Sequence, residues 1–277
     1  MAREQVRVKI FGERNTGTRA VIRMLEQADN IEEFVYPEVP EAELAQYDNW
    51  IAQMSDLHKG PWRRVFREAI RDLRQDYLGP LGAWKHAAPR YDPAFAREGL
   101  AVIFLIRNPY SWLLALHRRP YHGLGRRDGD FETFLARPWA TLRRDAVAPI
   151  LPTPMDLWNA KMRAYPQFIT QAAADGVPTA FLKFEDFVHA PAHALKSVLR
   201  SMSLDASGIR PARPTKPMGR KARERRDYYG RERWRTELSA NAIAAINAAI
   251  DWDVAAHYGY ARLPSGSDRK TRPATAA

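Results

Sequence analysis

The chain has 277 residues, 45% of them hydrophobic and 27% charged, enough for the core of one α/β domain and ordinary for a globular protein. It contains no cysteine, which excludes a disulfide framework and any thiolate metal site. No apolar run approaches a membrane span, and Glu4 interrupts the N-terminus before a signal-like stretch develops, so the expectation is a cytoplasmic protein with no membrane span. The formal charge of +11 calls for an anionic partner: nucleic acid, an acidic membrane surface or a phosphorylated small molecule.

Val6, Val8, Ile10 and Phe11 have the character of a buried strand, and Ala20, Val21, Met24 and Leu25 recur at helical spacing. Gly12 to Thr18 must turn between them. In that geometry the loop amides and those of the first helical turn lack internal partners and converge on whatever anion sits at the positive end of the helix. The glycines also fit a plain strand-to-helix turn. Gly12 and Gly17 have the separation of a nucleotide-binding P-loop, but Thr18 and Arg19 stand where Lys and Ser/Thr belong. Phosphate binding survives that change, whereas the chain is left poorly equipped for metal-assisted nucleotide chemistry.

Glu33 to Tyr36 is expected as a second strand and Glu41 to Ser55 as a polar helix. Trp62, Val65, Phe66, Ala69, Ile70, Leu73 and Tyr77 form a helical stripe expected to pack in the core. Ala83 to Pro89 is expected as a short strand carrying the basic pair Lys85 and His86. Leu100 to Ile106 is an unbroken apolar run fit for a strand of a parallel sheet buried on both faces. Arg107 follows at its C-terminal end, where α/β folds place ligands, and Pro109 suits the first turn of the next helix. Ser111 lies one turn further on the same face.

Tyr121 to Pro154 reads as an irregular, Gly-, Pro- and Arg-containing insertion with no recognisable chemistry, suited to walling a pocket. Met155 to Ala173 reads as a helix kinked at Pro166, and Thr179 to Phe184 as another buried strand. Asp186 is expected to cap the helix after it. Ala192 to Met202 is a further helix, and Arg210 to Arg235 concentrates the basic residues. Residues 1–262 are expected to form one domain and 263–277 a disordered tail.

Thr16-Gly17-Thr18-Arg19-Ala20 resembles the donor loop of the sulfotransferases that use 3'-phosphoadenosine 5'-phosphosulfate (PAPS), and Leu105 to Pro109 and Phe184-Glu185-Asp186 are similar to further motifs of that family in the same order. The resemblance implies a three-layer P-loop-type α/β fold with a central, mostly parallel sheet. It also implies PAPS as donor, adenosine 3',5'-bisphosphate as product and no metal. Asn15 replaces the family's lysine, so Arg14 or a lysine from elsewhere must supply that charge. On this resemblance, Arg14, Asn15, Thr16, Gly17, Thr18 and Arg19 cradle the phosphosulfate. Arg107, Ser111 and a flexible basic loop at Met218 to Lys221, through Arg220 and Lys221, hold the 3'-phosphate. His86 acts as base beside Lys85, with Glu13 as the alternative base. The acceptor, a small molecule or a glycan, is not legible, nor is the oligomeric state; nucleic acid is not the expected partner. A P-loop small-molecule kinase and a basic nucleic-acid-binding protein are the competing readings.

Overall fold

The computed structural model of the chain describes residues 6–28, 30–34, 65–73, 79–120, 129–210 and 216–265, with scattered positions between 42 and 53 and the backbone alone over 216–222. In chain order the described strands are β1 (Val6–Gly12), β2 (Ile31–Glu33), β3 (Leu100–Ile106), β4 (Trp139–Ala140), β5 (Ile150–Leu151) and β6 (Thr179–Lys183). Four of them form one sheet in the order β2-β1-β3-β6, every neighbouring pair parallel, while β4 and β5 make a separate antiparallel pair. This is an α/β fold with helices on both faces of a central sheet.

The apolar run of β3 explains the layering. Leu100, Val102, Phe104 and Ile106 point into one core, and Ala101, Ile103 and Leu105 into the other, so all seven positions are buried. Helices Pro109–Arg118 and Pro154–Ala174 line the first core through Trp112, Leu113, Trp158, Met162 and Phe168. Helices Thr18–Leu25 and Pro191–Ser201 line the second through Val21, Leu25, Leu195 and Leu199. Pro166 lies inside the Pro154–Ala174 helix and cannot donate to the carbonyl of Met162. The hydroxyl of Tyr258 donates to that carbonyl instead, at 2.6 Å. No helix among the described residues is long and apolar enough to cross a membrane.

Several expectations are corrected. The second strand is Ile31–Glu33, earlier than the Glu33 to Tyr36 expected, and residues 35–36 lie outside the described set. Of the expected polar helix over 41–55, positions 42, 45, 46, 49 and 52 are described and helical, and most of the rest lies outside the described set. Residues 83–89 are turns and irregular backbone, because only the Lys85 carbonyl joins the sheet edge, accepting from Gly12 N at 2.8 Å. The helical stripe is not core where it is described: residues 65–73 are helical, but Val65 and Leu73 are 45% and 57% exposed. The 121–154 insertion is ordered over its described part, with helix Phe131–Ala136 and the β4–β5 hairpin. Leu263, placed in a tail by its small polar neighbours, is buried, with its N–H bonded to the Tyr110 hydroxyl at 2.9 Å.

Lys9 is a charged group inside this core, 5% exposed, its ammonium donating to the Leu81 carbonyl at 3.0 Å and lying 5.6 Å from the Phe11 ring and 5.7 Å from the Phe34 ring. Burial lowers its pKa from 10.5 to about 8, against the attraction of Glu33 and with help from Lys85. Between those two values the unfolded chain holds more protons than the folded one, so this group makes stability rise with pH over that window. The lowering corresponds to a penalty on the order of 3 kcal/mol at pH 7, and a lost hydrogen bond returns about 1 kcal/mol of it. Lys9→Met is therefore expected to stabilise the protein at pH 7 by about 1 to 2 kcal/mol and to flatten the rise between pH 8 and 9.5. Urea melts of both proteins across that range measure it; a variant less stable at pH 7 with an unchanged rise would contradict the assignment.

Candidate functional site

The strand order fixes where a ligand site can form. The chain leaves β1 towards β2 on one side and returns to β3 on the other, so the connections diverge at the C-terminal ends of β1 and β3, the usual place for a crevice in open parallel sheets. Gly12 ends β1 opposite Leu105, and Arg107 follows the end of β3. Two segments ninety residues apart in sequence thus meet at one edge.

The bend after β1 is held from within. The carbonyl of Glu13 accepts from Thr16 N at 3.2 Å and from the Thr16 hydroxyl, that of Arg14 from Trp112 Nε1 at 2.9 Å, and that of Asn15 from Arg107 Nη1 at 2.6 Å. Three consecutive carbonyls are committed to the interior; Ala20 N and Val21 N bond to the Gly17 carbonyl, while the amides of Thr18 and Arg19 have no intrahelical acceptor. Asn15 and Gly17 take left-handed φ values of 66° and 89°, and Gly17 caps the helix with no side-chain hydrogen bond. Gly12 is required by space, since a Cβ there would lie 2.7 Å from the Cβ of Leu105. An open helix start behind a glycine bend suits an anion. Thr16 and Thr18 are buried, and Arg19 is exposed.

His86 packs against the same bend, 8% exposed, with Nδ1 2.5 Å from the carbonyl of Gly12. A carbonyl only accepts, so Nδ1 carries the proton and Nε2 keeps its lone pair. Burial pushes its pKa well below 6.5, against the Gly12 hydrogen bond and with help from Arg14, Lys161 and Lys85. The Trp84 ring stands edge-on to His86 at 4.8 Å, with the guanidiniums of Arg14 and Arg144 at 4.8 and 4.6 Å from it. Arg144 in turn pairs with Glu68 and, at 2.7 Å, with Asp72. Lys85 is half-buried beside this cluster.

Beneath the bend lies a sealed charge cluster. Lys161 Nζ meets Glu13 Oε2 at 2.5 Å and Asp145 Oδ1 at 2.7 Å, and these side chains are 0%, 1% and 0% exposed. Burial raises the Glu13 pKa, against Lys161 and with Asp145 adding to the rise; one ammonium leaves one of two carboxylates in excess. Glu13 Oε1 also accepts from Arg14 N at 2.6 Å. Glu13 thus faces inwards, onto Lys161. Lys161 and Asp145 were not singled out in the sequence. The signal for Lys161 is its position among Leu157, Trp158, Met162 and Tyr165 on the buried face of its helix: a lysine there requires a buried acid.

Arg107 is 2% exposed, its Nε donating to Ser111 Oγ at 3.0 Å and Nη2 to the Ser111 carbonyl at 2.8 Å, with Phe184 and Tyr229 rings 4.1 and 4.7 Å away. Ser111 therefore braces Arg107. Asn108 caps the Pro109–Arg118 helix with its side chain, and its own N–H donates to Glu185 Oε1 at 3.0 Å. Glu185 also accepts from the Tyr260 hydroxyl at 3.0 Å. Asp186 is not the expected N-cap: Lys183 occupies that place, and Asp186 lies in the first turn, where the helix dipole favours it. Met218 to Lys221, expected as a flexible loop, belongs to the helix Lys216–Gly230, whose last turn brings Tyr229 onto Arg107. The side chains of Arg220 and Lys221 lie outside the described set.

No protein-family model and no curated protein matches the sequence. Among solved structures, the chain is similar to one titled "Sulfotransferase Domain from the Curacin Biosynthetic Pathway", at 12% identity over 74% of this chain and 76% of that one, with a TM-score of 0.34. It is also similar to a sulfotransferase from Alicyclobacillus acidocaldarius, at 14% identity over 85% of this chain and 100% of that one, with a TM-score of 0.37. Likenesses this loose leave the reading of the site to its residues.

Because the folded state holds His86 neutral below 6.5 while the unfolded chain protonates it, its contribution to stability is present above pH 6.5 and lost as pH falls towards the depressed value. His86→Asn, which retains a donor near the Nδ1 position, is expected to lose less stability than the wild type between pH 7 and pH 5. Denaturant midpoints at both pH values test this, and parallel losses would show that His86 is not buried as a neutral ring.

Proposed function

We propose that this protein is a sulfotransferase, moving a sulfuryl group from PAPS to a hydroxyl or amine of an acceptor by in-line displacement. The observation that carries the reading is the meeting, on the single bend of residues 12–17, of the His86 ring at 2.5 Å and the Arg107 guanidinium at 2.6 Å. Such a reaction needs a base on the acceptor, donors around the moving sulfuryl group and neutralisation of the leaving phosphate.

His86 supplies the base: its Nδ1–H is tied to Gly12, and Nε2 is left to take the acceptor proton. Glu13 is set aside for this role because Lys161 and Arg14 N hold it inside the protein. The amides of Gly17 and Thr18 and the Thr18 hydroxyl, with Arg14, Lys85, Asn15 and Arg19, surround the phosphosulfate, while Thr16 shapes the bend through the Glu13 carbonyl. Arg107 reads the 3'-phosphate with the N–H donors it does not commit to Ser111 and Asn15; Arg220 and Lys221 add charge from the adjoining helix. The sulfuryl group itself comes from PAPS, and adenosine 3',5'-bisphosphate leaves.

Screening acceptors with sulfur-labelled PAPS, with mass spectrometry of the product, tests the reaction: a product heavier by one sulfuryl group is expected. His86→Ala is expected to lower turnover by about two to four orders of magnitude with little change in affinity for adenosine 3',5'-bisphosphate. Unchanged turnover would remove His86 from the role of base. Arg107→Ala is expected to weaken donor binding at least tenfold, by loss of a charge-assisted contact of about 1.5 to 3 kcal/mol; equal retention of PAPS would refute the assignment.

One observation favours a different class. Arg223, Arg225 and Arg226 are exposed on the Lys216–Gly230 helix, as on a nucleic-acid-binding surface. Steeply salt-dependent DNA or RNA binding, with no thermal shift from adenosine 3',5'-bisphosphate, would replace the enzyme reading. ATP-dependent labelling of an acceptor would instead revive the kinase reading.

A further inference from the structure

We propose that Lys161 is the positioning residue of this site, its ammonium fixing the bend of residues 12–17 and the His86 turn at one separation. The inference rests on the sulfotransferase reading only for its effect on turnover. The ammonium donates to Asp145 Oδ1 at 2.7 Å and to the backbone carbonyl of His86 at 2.5 Å, and forms an ion pair with Glu13 Oε2 at 2.5 Å. The three acceptors come from segments remote from one another in sequence, and Lys161 itself lies on a fourth, the long Pro154–Ala174 helix.

These contacts close a ring. Glu13 is joined through the peptide bond to Gly12, whose carbonyl accepts from His86 Nδ1, and the carbonyl of His86 returns to Lys161. A second brace runs through Asp145, whose backbone carbonyl accepts from Ala88 N at 2.8 Å, two residues beyond His86. At 0% exposure Lys161 reaches no substrate, so its influence passes through what it holds. Burial works against its charge, but Glu13 and Asp145 more than reverse that and raise its pKa, so the ammonium persists. Without it, the turn would keep to the bend the Gly12–His86 hydrogen bond, the Gly12–Lys85 pair and the packing of Arg14 on the Trp84 ring, none of which reaches the Pro154–Ala174 helix.

The test is the tautomer of His86, read by nitrogen-15 NMR of the imidazole ring in protein without donor. The wild type is expected to show the Nδ1–H form alone. Lys161→Met leaves two carboxylates buried without a counter-charge and can fail to fold. The isosteric Lys161→Met/Glu13→Gln/Asp145→Asn protein removes all three charges together and keeps the volume. In the folded variant His86 is expected to relax towards the mixed tautomers of a free ring, and kcat with PAPS to fall about 100-fold, as for a misplacement of about 1 Å, with affinity for adenosine 3',5'-bisphosphate within about threefold. His86 remaining wholly Nδ1–H would overturn the inference. A relaxed tautomer in a protein whose wild type transfers no sulfuryl group would uphold the inference and sink the functional reading alone.

Discussion

One buried ammonium sets the terms for the candidate site. Lys161 enters the interior on a long helix and meets a carboxylate from the bend, a carboxylate from the hairpin segment and a carbonyl from the histidine turn. A buried charge is tolerated only when paired and hydrogen-bonded, and here the ammonium and the two carboxylates pair with one another. The requirement works as a specification: the three segments pack in the one arrangement that satisfies the lysine. What lies above it, the open helix start at Gly17 and the neutral imidazole of His86, inherits its geometry.

The sheet supplies the second constraint. Because β1 and β3 are neighbours whose connections run in opposite directions, their C-terminal ends leave a crevice, and both Gly12 and Arg107 emerge there. The bend then turns its carbonyls inwards to Thr16, Trp112 and Arg107, which leaves the start of the next helix free for an anion. Arg107 serves the bend through Asn15, and under the proposed function would serve a phosphate with its remaining donors. Its guanidinium is 2% exposed, with neighbouring rings at 4.1 and 4.7 Å.

Local pattern carried the reading of the fold where it was unambiguous. The apolar run of β3, the strand, bend and helix from Val6 to Leu25, and the long helix ending at Ala174 are visible as periodicity and length. The turn holding His86 reads as a strand because Trp84 and the alanines beside it look apolar, whereas its one backbone hydrogen bond to β1, from Gly12 N, builds no ladder. Asp145 was invisible for a different reason. Its partner lies sixteen residues away on another element, and nothing near it in sequence announces an ion pair. Lys161 had a signal, its place on an apolar helix face, but the identity of its acids depends on how the strands are ordered. Long-range pairing of this kind is a property of topology, which periodicity does not encode.

In the proposed function one crevice recognises both anionic ends of an adenosine nucleotide phosphorylated at the 3' and 5' positions. Calorimetric titration of the protein with adenosine 3',5'-bisphosphate and with ADP, two ligands that place two phosphates differently on the same nucleoside, addresses it most directly. The first is expected to bind at least tenfold more tightly, a difference of about 1.4 kcal/mol or more. Equal affinity for the two, or no binding of either, would contradict it.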